Sequence, residues 1–336
     1  MNLLPKPKKI TEKGGQLLLC HSMYIVISKE ISDNGIYAAK RLQEAIRQET
    51  GLLLRLSVGE TRDGDFSLRI TETLSEQAYE ITINENGVQI LGGDGAGVLY
   101  GVETFCQILQ QYGGALPCMQ IMDAPDMPNR GYYFDQTRGR ILKLEELKKI
   151  ADRMSLYKLN QLQLYVEHTY LFRDFSEMWR DQTPITAEEI RELDSYCRER
   201  HIELVPSLAS FGHLCTLLST KTYGDLCEME DSWKEPFSFW NRMRYHTINV
   251  SDGRSLPLIK KMIAEYMQLF SSDKFNICAD ETFCLGKYKS KELAKECGIH
   301  RLYIDYVKEL AQFLVENGKI PMFWGDIIWN SPELMK

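Results

Sequence analysis

The sequence predicts an α/β protein: a (β/α)8 TIM-type barrel, truncated after its fifth strand, preceded by a smaller α/β domain. Three observations carry this expectation. From Gly131 onward, short apolar strands alternate with helices of roughly 10–15 residues, the pattern of parallel βαβ units. Each of those strands runs out into Asp, Glu, His, Arg or Trp, as barrel strands do at the end where such folds carry their chemistry. Between them and the preceding chain stand Pro117, Pro125 and Pro128, which divide the sequence into domains at 1–125 and 126–336. A doubly wound open sheet is the competing architecture.

In the first domain, strands are expected at Met23–Ile27, Phe66–Ile70, Tyr79–Ile83 and Val88–Leu91. A helix is expected from Asn34 to Thr50, with Ile36, Leu42 and Ile46 on its apolar stripe and Gly51 ending it. Asn86-Gly87 is read as a primed two-residue hairpin turn, because that turn needs positive φ. A second helix follows from Ala96 to Tyr112. The glycine cluster Gly92, Gly93, Gly95 and Gly97 fails as a dinucleotide fingerprint, since Val98 and Tyr100 stand where a further glycine is needed.

In the second domain, strands are expected at Gly131–Gln136, Gln161–Val166, Ile202–Leu208, Phe275–Ala279 and Ile320–Ile328. The helices between them are expected at Leu144–Tyr157, Thr186–Arg200, Pro257–Phe270 and His300–Asn317. A closed barrel needs eight strands and about 250 residues. The count here falls short, so the expectation is a fragment of a longer gene product.

Composition narrows the function. With 336 residues, 44% hydrophobic and 26% charged, the chain is that of an ordinary globular protein. A net charge of −7 argues against binding nucleic acid, which demands clustered Lys and Arg on the phosphates. No stretch approaches the roughly 20 apolar residues of a membrane span. The nine cysteines form no C-x-x-C pair, which predicts free thiols in a reducing compartment and hence a cytoplasmic location. No metal or cofactor motif occurs. A homo-oligomer stays open.

The sharpest chemical feature is Asp280-Glu281, where an apolar strand runs directly into two adjacent carboxylates. Neighbouring carboxylates push their pKa values apart, one ionised and one protonated, which equips the pair for general acid catalysis. An exposed pair at a helix N-terminus is the bland reading. The other strand ends add Arg138, Glu167 with His168, His213, and Trp324 with Asp326.

These residues resemble those of the family-20 glycoside hydrolases, the β-N-acetylhexosaminidases. Tyr79–Leu109 is similar to that family's N-terminal zincin-like domain, though no H-E-x-x-H occurs here. Arg130-Gly131 to Arg138 resembles its first barrel strand, Gly212-His213 its Gly-His after strand three, and Asp280-Glu281 its catalytic pair after strand four. The strand-two, strand-four and Trp324-Gly-Asp326 patterns are closer to the intracellular hexosaminidase D-like branch. The chain departs from the commoner pattern in having Ala279 where glycine is usual and Gly139 where histidine is usual.

The resemblance implies removal of a terminal β-linked N-acetylhexosamine from a glycan or glycoconjugate, by substrate-assisted retaining hydrolysis. It implies Glu281 as acid and then base, and Asp280 as partner of the substrate's acetamido N–H. Arg138 would grip sugar hydroxyls and Trp324 would wall the acetamido pocket, with Glu167, His213 and Asp326 as further substrate-binding positions. Two other readings stay open: a non-catalytic sugar-binding or regulatory protein or inactive fragment, and a hydrolase using Glu167 and Glu281 as an ordinary acid–nucleophile pair.

Overall fold

The computed structural model describes residues 1–31, 33–234, 236 and 238–330. Its contacts divide the chain into two compact units. The first holds Met1–Gly131 with Lys148–Gln161 and Ser195–Ile202. The second holds Tyr132–Leu147, Leu162–Asp194 and the chain from Glu203 on.

The first unit is built on a seven-stranded sheet: β1 (Lys9–Leu18), β2 (Tyr24–Ile27), β3 (Arg55–Val58), β4 (Phe66–Ile70), β5 (Tyr79–Asn84), β6 (Gly87–Gly92) and β7 (Ala115–Asp123), in the order β1-β7-β5-β6-β4-β2-β3. The β1-β7-β5-β6 half is antiparallel and the β6-β4-β2-β3 half parallel. Helices α1 (Asp33–Thr50) and α2 (Gly95–Tyr112) contribute to its core. Leu42 and Ile46 of α1 and Val98, Phe105 and Leu109 of α2 are buried with Ile25, Phe66, Ile81 and Ile90 of the sheet. Phe66 and Phe105 meet edge to face at 5.4 Å. Glu103 of α2 is buried, and Arg41 of α1 donates from Nε and Nη2 to its two oxygens at 3.1 Å each.

Several expectations are corrected here. Ile36 is 46% exposed. Six residues from Leu42 carry it about 120° round the helix, so the buried stripe is Ala38, Ala39, Leu42, Ala45 and Ile46. The hairpin loop is Glu85-Asn86, since Asn84 pairs with Gly87. Neither loop residue has positive φ, so the turn is not a primed one. The positive φ, 128°, falls on Gly87, where a Cβ would lie 2.4 Å from the Asp65 carbonyl. Three strands were not expected. β1 shows no alternation of burial and carries a bulge between Glu12 and Gln16. β3 is mostly exposed at the sheet edge. β7 contains Pro117, which the sequence presents as a breaker. The pairing of β7 with β5 spans Met119–Asp123, so Pro117 faces only the bulged edge strand β1, where no ladder donor is needed.

The glycine cluster has a packing role. Asp94 caps α2, its side chain accepting from Gly97 N at 2.7 Å. A Cβ at Gly93 would stand 1.9 Å from the Ser75 carbonyl oxygen, and one at Gly97 2.2 Å from that of Ala78. Backbone runs against backbone, and glycine is what permits it.

The second unit carries a five-stranded sheet ordered as the chain runs: β8 (Gly131–Asp135), β9 (Gln161–Val166), β10 (Glu203–Leu208), β11 (Lys274–Asn276) and β12 (Ile320–Met322). β10, β11 and β12 pair in parallel. Along the chain, helix α3 (Leu144–Leu156), most of which belongs to the first unit, and helices Ala187–Glu199, Ser255–Met267 and Ile299–Glu316 alternate with the strands. Thr186 and Glu189 form a reciprocal capping box, Thr186 N donating to Glu189 Oε2 at 2.9 Å and Glu189 N to Thr186 Oγ1 at 3.2 Å.

Two strands end earlier than expected. β11 stops at Asn276 because Cys278 and Ala279 take φ of 58° and 62°, which ends the ladder. β12 stops at Met322, and Asp326–Asn330 is a short helix. An apolar run of this length does not by itself distinguish strand from helix. All nine cysteines are free thiols, and among the described residues no helix is long and apolar enough to cross a membrane.

Gly93→Ala is expected to lower the unfolding free energy by about 1–3 kcal/mol, because backbone cannot yield to the new methyl. Gly14→Ala, with nothing within 4 Å of its Cβ, is the control and should shift it by at most about 0.5 kcal/mol. Urea titrations of the two variants measure the difference.

Candidate active site

Side chains two residues apart share a face of a strand, and that rule assembles the site. Tyr133 and Asp135 on β8, Tyr165 and Glu167 at the end of β9, Ser207 on β10, and Asn276 and Cys278 at the end of β11 converge on one side of the sheet. The Tyr133 ring packs against Tyr165 at 5.9 Å, and its hydroxyl lies 3.0 Å from Ser207 Oγ. Ser207 Oγ lies 3.3 Å from Cys278 Sγ, and Asn276 Nδ2 donates to Gln163 Oε1 at 3.1 Å.

Beyond β11 the chain turns sharply. Cys278, Ala279 and Glu281 all have positive φ, and so does His213 in the segment after β10. Non-glycine residues in that region cost of order 1 kcal/mol each and persist where the surroundings over-determine them. The surroundings here are specific. Ser210 Oγ donates to the Ile277 carbonyl at 2.5 Å, Tyr303 Oη to that of Ala279 at 3.0 Å, and Trp324 N to that of Cys278 at 2.9 Å. Gly212 lies so close that a Cβ would stand 2.5 Å from the Asp280 carbonyl oxygen.

The turn delivers the acidic pair to His213. Its Nε2 lies 3.3 Å from Asp280 Oδ2 and 3.1 Å from Glu281 Oε2. The histidine is 3% exposed, while Asp280 and Glu281 are 25% and 35% exposed, so the pair is anchored from below and open from above. Burial opposes the imidazolium, but the hydrogen bond to Asp280 and the charges of Asp280, Glu167 and Glu281 outweigh it, and the His213 pKa lies above the usual histidine value. These three residues are also, among the described residues, a group whose ligand atoms lie within 4.8 Å of one another, the spacing a metal ion needs. A ligating imidazole must be deprotonated, and the upward shift of His213 works against that.

A second cluster surrounds Glu167, which is 3% exposed. Arg242 Nη2 donates to its Oε2 at 2.7 Å and Tyr165 Oη to its Oε1 at 3.0 Å. Arg138 Nε lies 3.8 Å from Oε1. Arg138 is itself held by Asp135, donating from Nε to Oδ2 at 2.7 Å and from its backbone N to Oδ1 at 2.8 Å, and its guanidinium lies 5.1 Å from the centre of the Tyr165 ring. Burial pushes His168 below the usual range, so its 3.9 Å approach to Glu167 is not an ion pair at neutral pH. Its Nε2 bonds Gln182 at 2.9 Å.

Trp324 lies just past β12 with its ring 5.1 Å from Tyr133, edge to face, and is 39% exposed. Tyr133 thus touches both Trp324 and Tyr165. Asp326 opens the short helix and is exposed, with no hydrogen bond or ion pair among the described contacts. Of the seven residues to which the resemblance gives site roles, the structure gathers His213, Asp280 and Glu281 in one cluster and Arg138 and Glu167 in another. Trp324 is connected to the second cluster through Tyr133, and the charge of Asp326 acts on Tyr303, whose hydroxyl holds the turn at Ala279. Tyr133, Tyr165 and Arg242 were missed. The two tyrosines were accessible to the period-two rule, counting back from Asp135 and Glu167. Arg242 reaches Glu167 across 75 residues of sequence, and no local signal marks it.

Comparison with known proteins gives the family. Residues 127–336 match the catalytic domain of glycosyl hydrolase family 20, and residues 1–124 match domain 2 of the same family. The chain belongs to glycosyl hydrolase family 20. A β-hexosaminidase of Porphyromonas gingivalis is 23% identical over 98% of this chain and 46% of its own length. One from Akkermansia muciniphila is 30% identical over 50% of this chain and 36% of its own. A family-20 chitobiase structure from Flavobacterium johnsoniae superposes with a TM-score of 0.84 at 21% identity, over 97% of this chain and 52% of that one. The chain thus spans between 36% and 52% of the length of these relatives, and the expected α/β architecture, a barrel-type parallel sheet with a separate N-terminal domain, is the family's.

The His213 anchor gives a direct test. Its imidazole should titrate with a midpoint above the reference value of about 6.5 in a carbon-13 or nitrogen-15 NMR pH series. The raised folded value contributes stability below the unfolded pKa, and that contribution is lost as pH rises through the folded one. In Asp280→Asn the midpoint should fall. A midpoint that does not respond would detach His213 from the pair.

Proposed function

We propose that this chain carries the catalytic machinery of an exo-β-N-acetylhexosaminidase, which removes a terminal non-reducing N-acetylhexosamine from a glycan or glycoconjugate with retention. The observation that carries the reading is the convergence of Asp280 and Glu281 on one buried histidine, with both carboxylates left partly open. The names of the curated relatives support it, and so does the family.

In this reading the two carboxylates divide the work. Glu281 gives its proton to the glycosidic oxygen as the bond to the anomeric carbon breaks. The substrate's 2-acetamido oxygen attacks that carbon from the opposite face and closes an oxazolinium ring. Asp280 accepts a hydrogen bond from the acetamido N–H and stabilises the positive charge that spreads over the ring. Glu281 then takes a proton from water, which opens the ring and restores the configuration. His213 holds the two carboxylates in register. Arg138, fixed by Asp135, is placed to grip sugar hydroxyls. Trp324, packed on Tyr133, supplies an apolar wall for the acetamido methyl, and Asp326 is a further substrate contact in the same reading. Nine free thiols favour a reducing compartment, and the cytoplasm is the location we assign.

The competing acid–nucleophile reading requires Glu167 to reach an anomeric carbon. Its two oxygens are instead taken by Arg242 and Tyr165 in a buried setting, which favours a supporting role.

The purified protein should release nitrophenol from the 4-nitrophenyl β-glycosides of N-acetylglucosamine or N-acetylgalactosamine and not from the plain glucoside. Turnover of the glucoside at a matching rate would end substrate assistance. Glu281→Gln should lower the rate by roughly 10²–10⁴-fold. Asp280→Asn should weaken inhibition by a thiazoline analogue of the intermediate. Tight thiazoline binding without turnover would assign the site to sugar recognition alone.

A further inference from the structure

A cavity of about 270 Å³ lies wholly within the first unit. It does not depend on the hydrolase reading. Its singular feature is Lys158, which is only 6% exposed and whose ammonium finds no hydrogen-bond partner. A buried cation without a partner is a costly arrangement that folds avoid unless something offsets it.

The backbone shows that this lysine is not there by local preference. Helix α3 ends in a Schellman motif: Leu159 N donates to the Met154 carbonyl at 2.8 Å and Lys158 N to that of Ser155 at 2.9 Å. Lys158 holds the left-handed position of the motif, with φ of 60°, where glycine is the natural occupant. The chain accepts backbone strain at this residue and a desolvated charge at its tip. Both costs fall on one side chain that lines a cavity.

The surroundings define what would neutralise it. The Lys158 ammonium lies 5.5 Å from the centre of the Tyr79 ring. Arg130 stands beside it, donating from Nε to the Lys158 carbonyl at 2.9 Å, from Nη1 to the Met127 carbonyl at 2.7 Å and from Nη2 to Tyr100 Oη at 3.1 Å. No carboxylate is paired with either cation within ion-pair distance among the described residues. Asp126 is taken by Lys8 at 2.6 Å, and Asp123 accepts from Tyr79 Oη at 2.9 Å. At the less exposed end of the cavity Lys158, Arg130 and Asp123 together carry one net positive charge, which a single negative charge balances, while Lys6 and the Lys8–Asp126 pair are exposed. Pro125 and Met127 add apolar wall.

We propose that this cavity binds a small organic monocarboxylate, its carboxylate paired with Lys158 and Arg130 and its apolar body lying against Tyr100, Pro125 and Met127. The amine is responsive to such a ligand. Burial lowers its pKa to about 8, against the pull of Asp123 on β7 and Glu103 on α2 and with the push of Arg130. Lys6 and Lys8 also line the cavity, and the Tyr79 hydroxyl, raised by burial, stays protonated through this range. An anion that pairs with Lys158 holds its proton on, and one that arrives after the proton has left finds a neutral amine.

Calorimetric titration of the whole chain with benzoate tests this, with benzamide as the uncharged match. Benzoate should bind one to one at pH 6.5, benzamide at least about tenfold more weakly, and Lys158→Met should lose about tenfold in benzoate affinity, the scale of one charge-assisted contact. In the wild-type chain benzoate affinity should fall as pH rises past about 8, a readout that needs no variant to fold. Absence of saturable binding, equal binding of benzamide, equal affinity in a folded Lys158→Met, or an affinity flat to pH 10 would each overturn the proposal.

Discussion

The site rests on a left-handed turn. After β11 the chain needs only a few residues to leave the sheet and present two adjacent carboxylates, and it does so by taking positive φ at Cys278, Ala279 and Glu281. Adjacent residues on a continuing strand would point to opposite faces, so an extended chain would send Asp280 and Glu281 apart. Breaking the strand is what lets both reach one imidazole. The turn is kept by hydrogen bonds from Ser210, Tyr303 and Trp324 N to its carbonyls, and by the absence of a side chain at Gly212. Ala279, at φ 62°, occupies a conformation in which glycine has no steric penalty, which gives a physical meaning to the departure from the family's usual residue.

Electrostatics then follow from position. His213 is buried beneath the pair and draws its upward shift from the carboxylates it holds, while His168, equally buried but beside a Glu167 already engaged by Arg242, is pushed down. The two histidines show how similar burial is accompanied by shifts in opposite directions according to the carboxylates around each ring. Arg242 matters for the same reason. It satisfies Glu167 and so leaves Arg138, tied to Asp135, at the edge of that cluster.

How much of this was legible follows from the range of the interactions involved. Phe66–Ile70 and Gln161–Val166 form strands over the bounds read from the sequence, because alternation of apolar and polar residues reports local structure. The Asp280-Glu281 pair was legible because it interrupts an apolar strand. The end of β11 was not, since its strain is set by Ser210, Gly212 and Tyr303, all more than 20 residues away. Pro117 reads as a breaker unless the partner strand is known to be a bulged edge. Arg242 sits in the short helix Phe239–Arg244, far from Glu167 in sequence, and only the fold brings the two together.

Two buried carboxylates, one in each unit, are answered in the same way. Glu103 is desolvated and answered by a bidentate arginine, and Glu167 is desolvated and answered by Arg242 and a tyrosine. In each case the buried carboxylate carries a cation within 3.1 Å. Lys158 breaks that pattern in the opposite sense, being a buried cation whose nearest acidic neighbours are engaged with other groups. A fold that answers Glu103 and Glu167 with arginines has the means to pair a buried lysine as well, although it also leaves one oxygen of the buried Glu228 without a partner. Leaving the ammonium bare at a cavity wall, at a backbone position that also strains the lysine, is the arrangement expected where the missing charge is to be brought by something else.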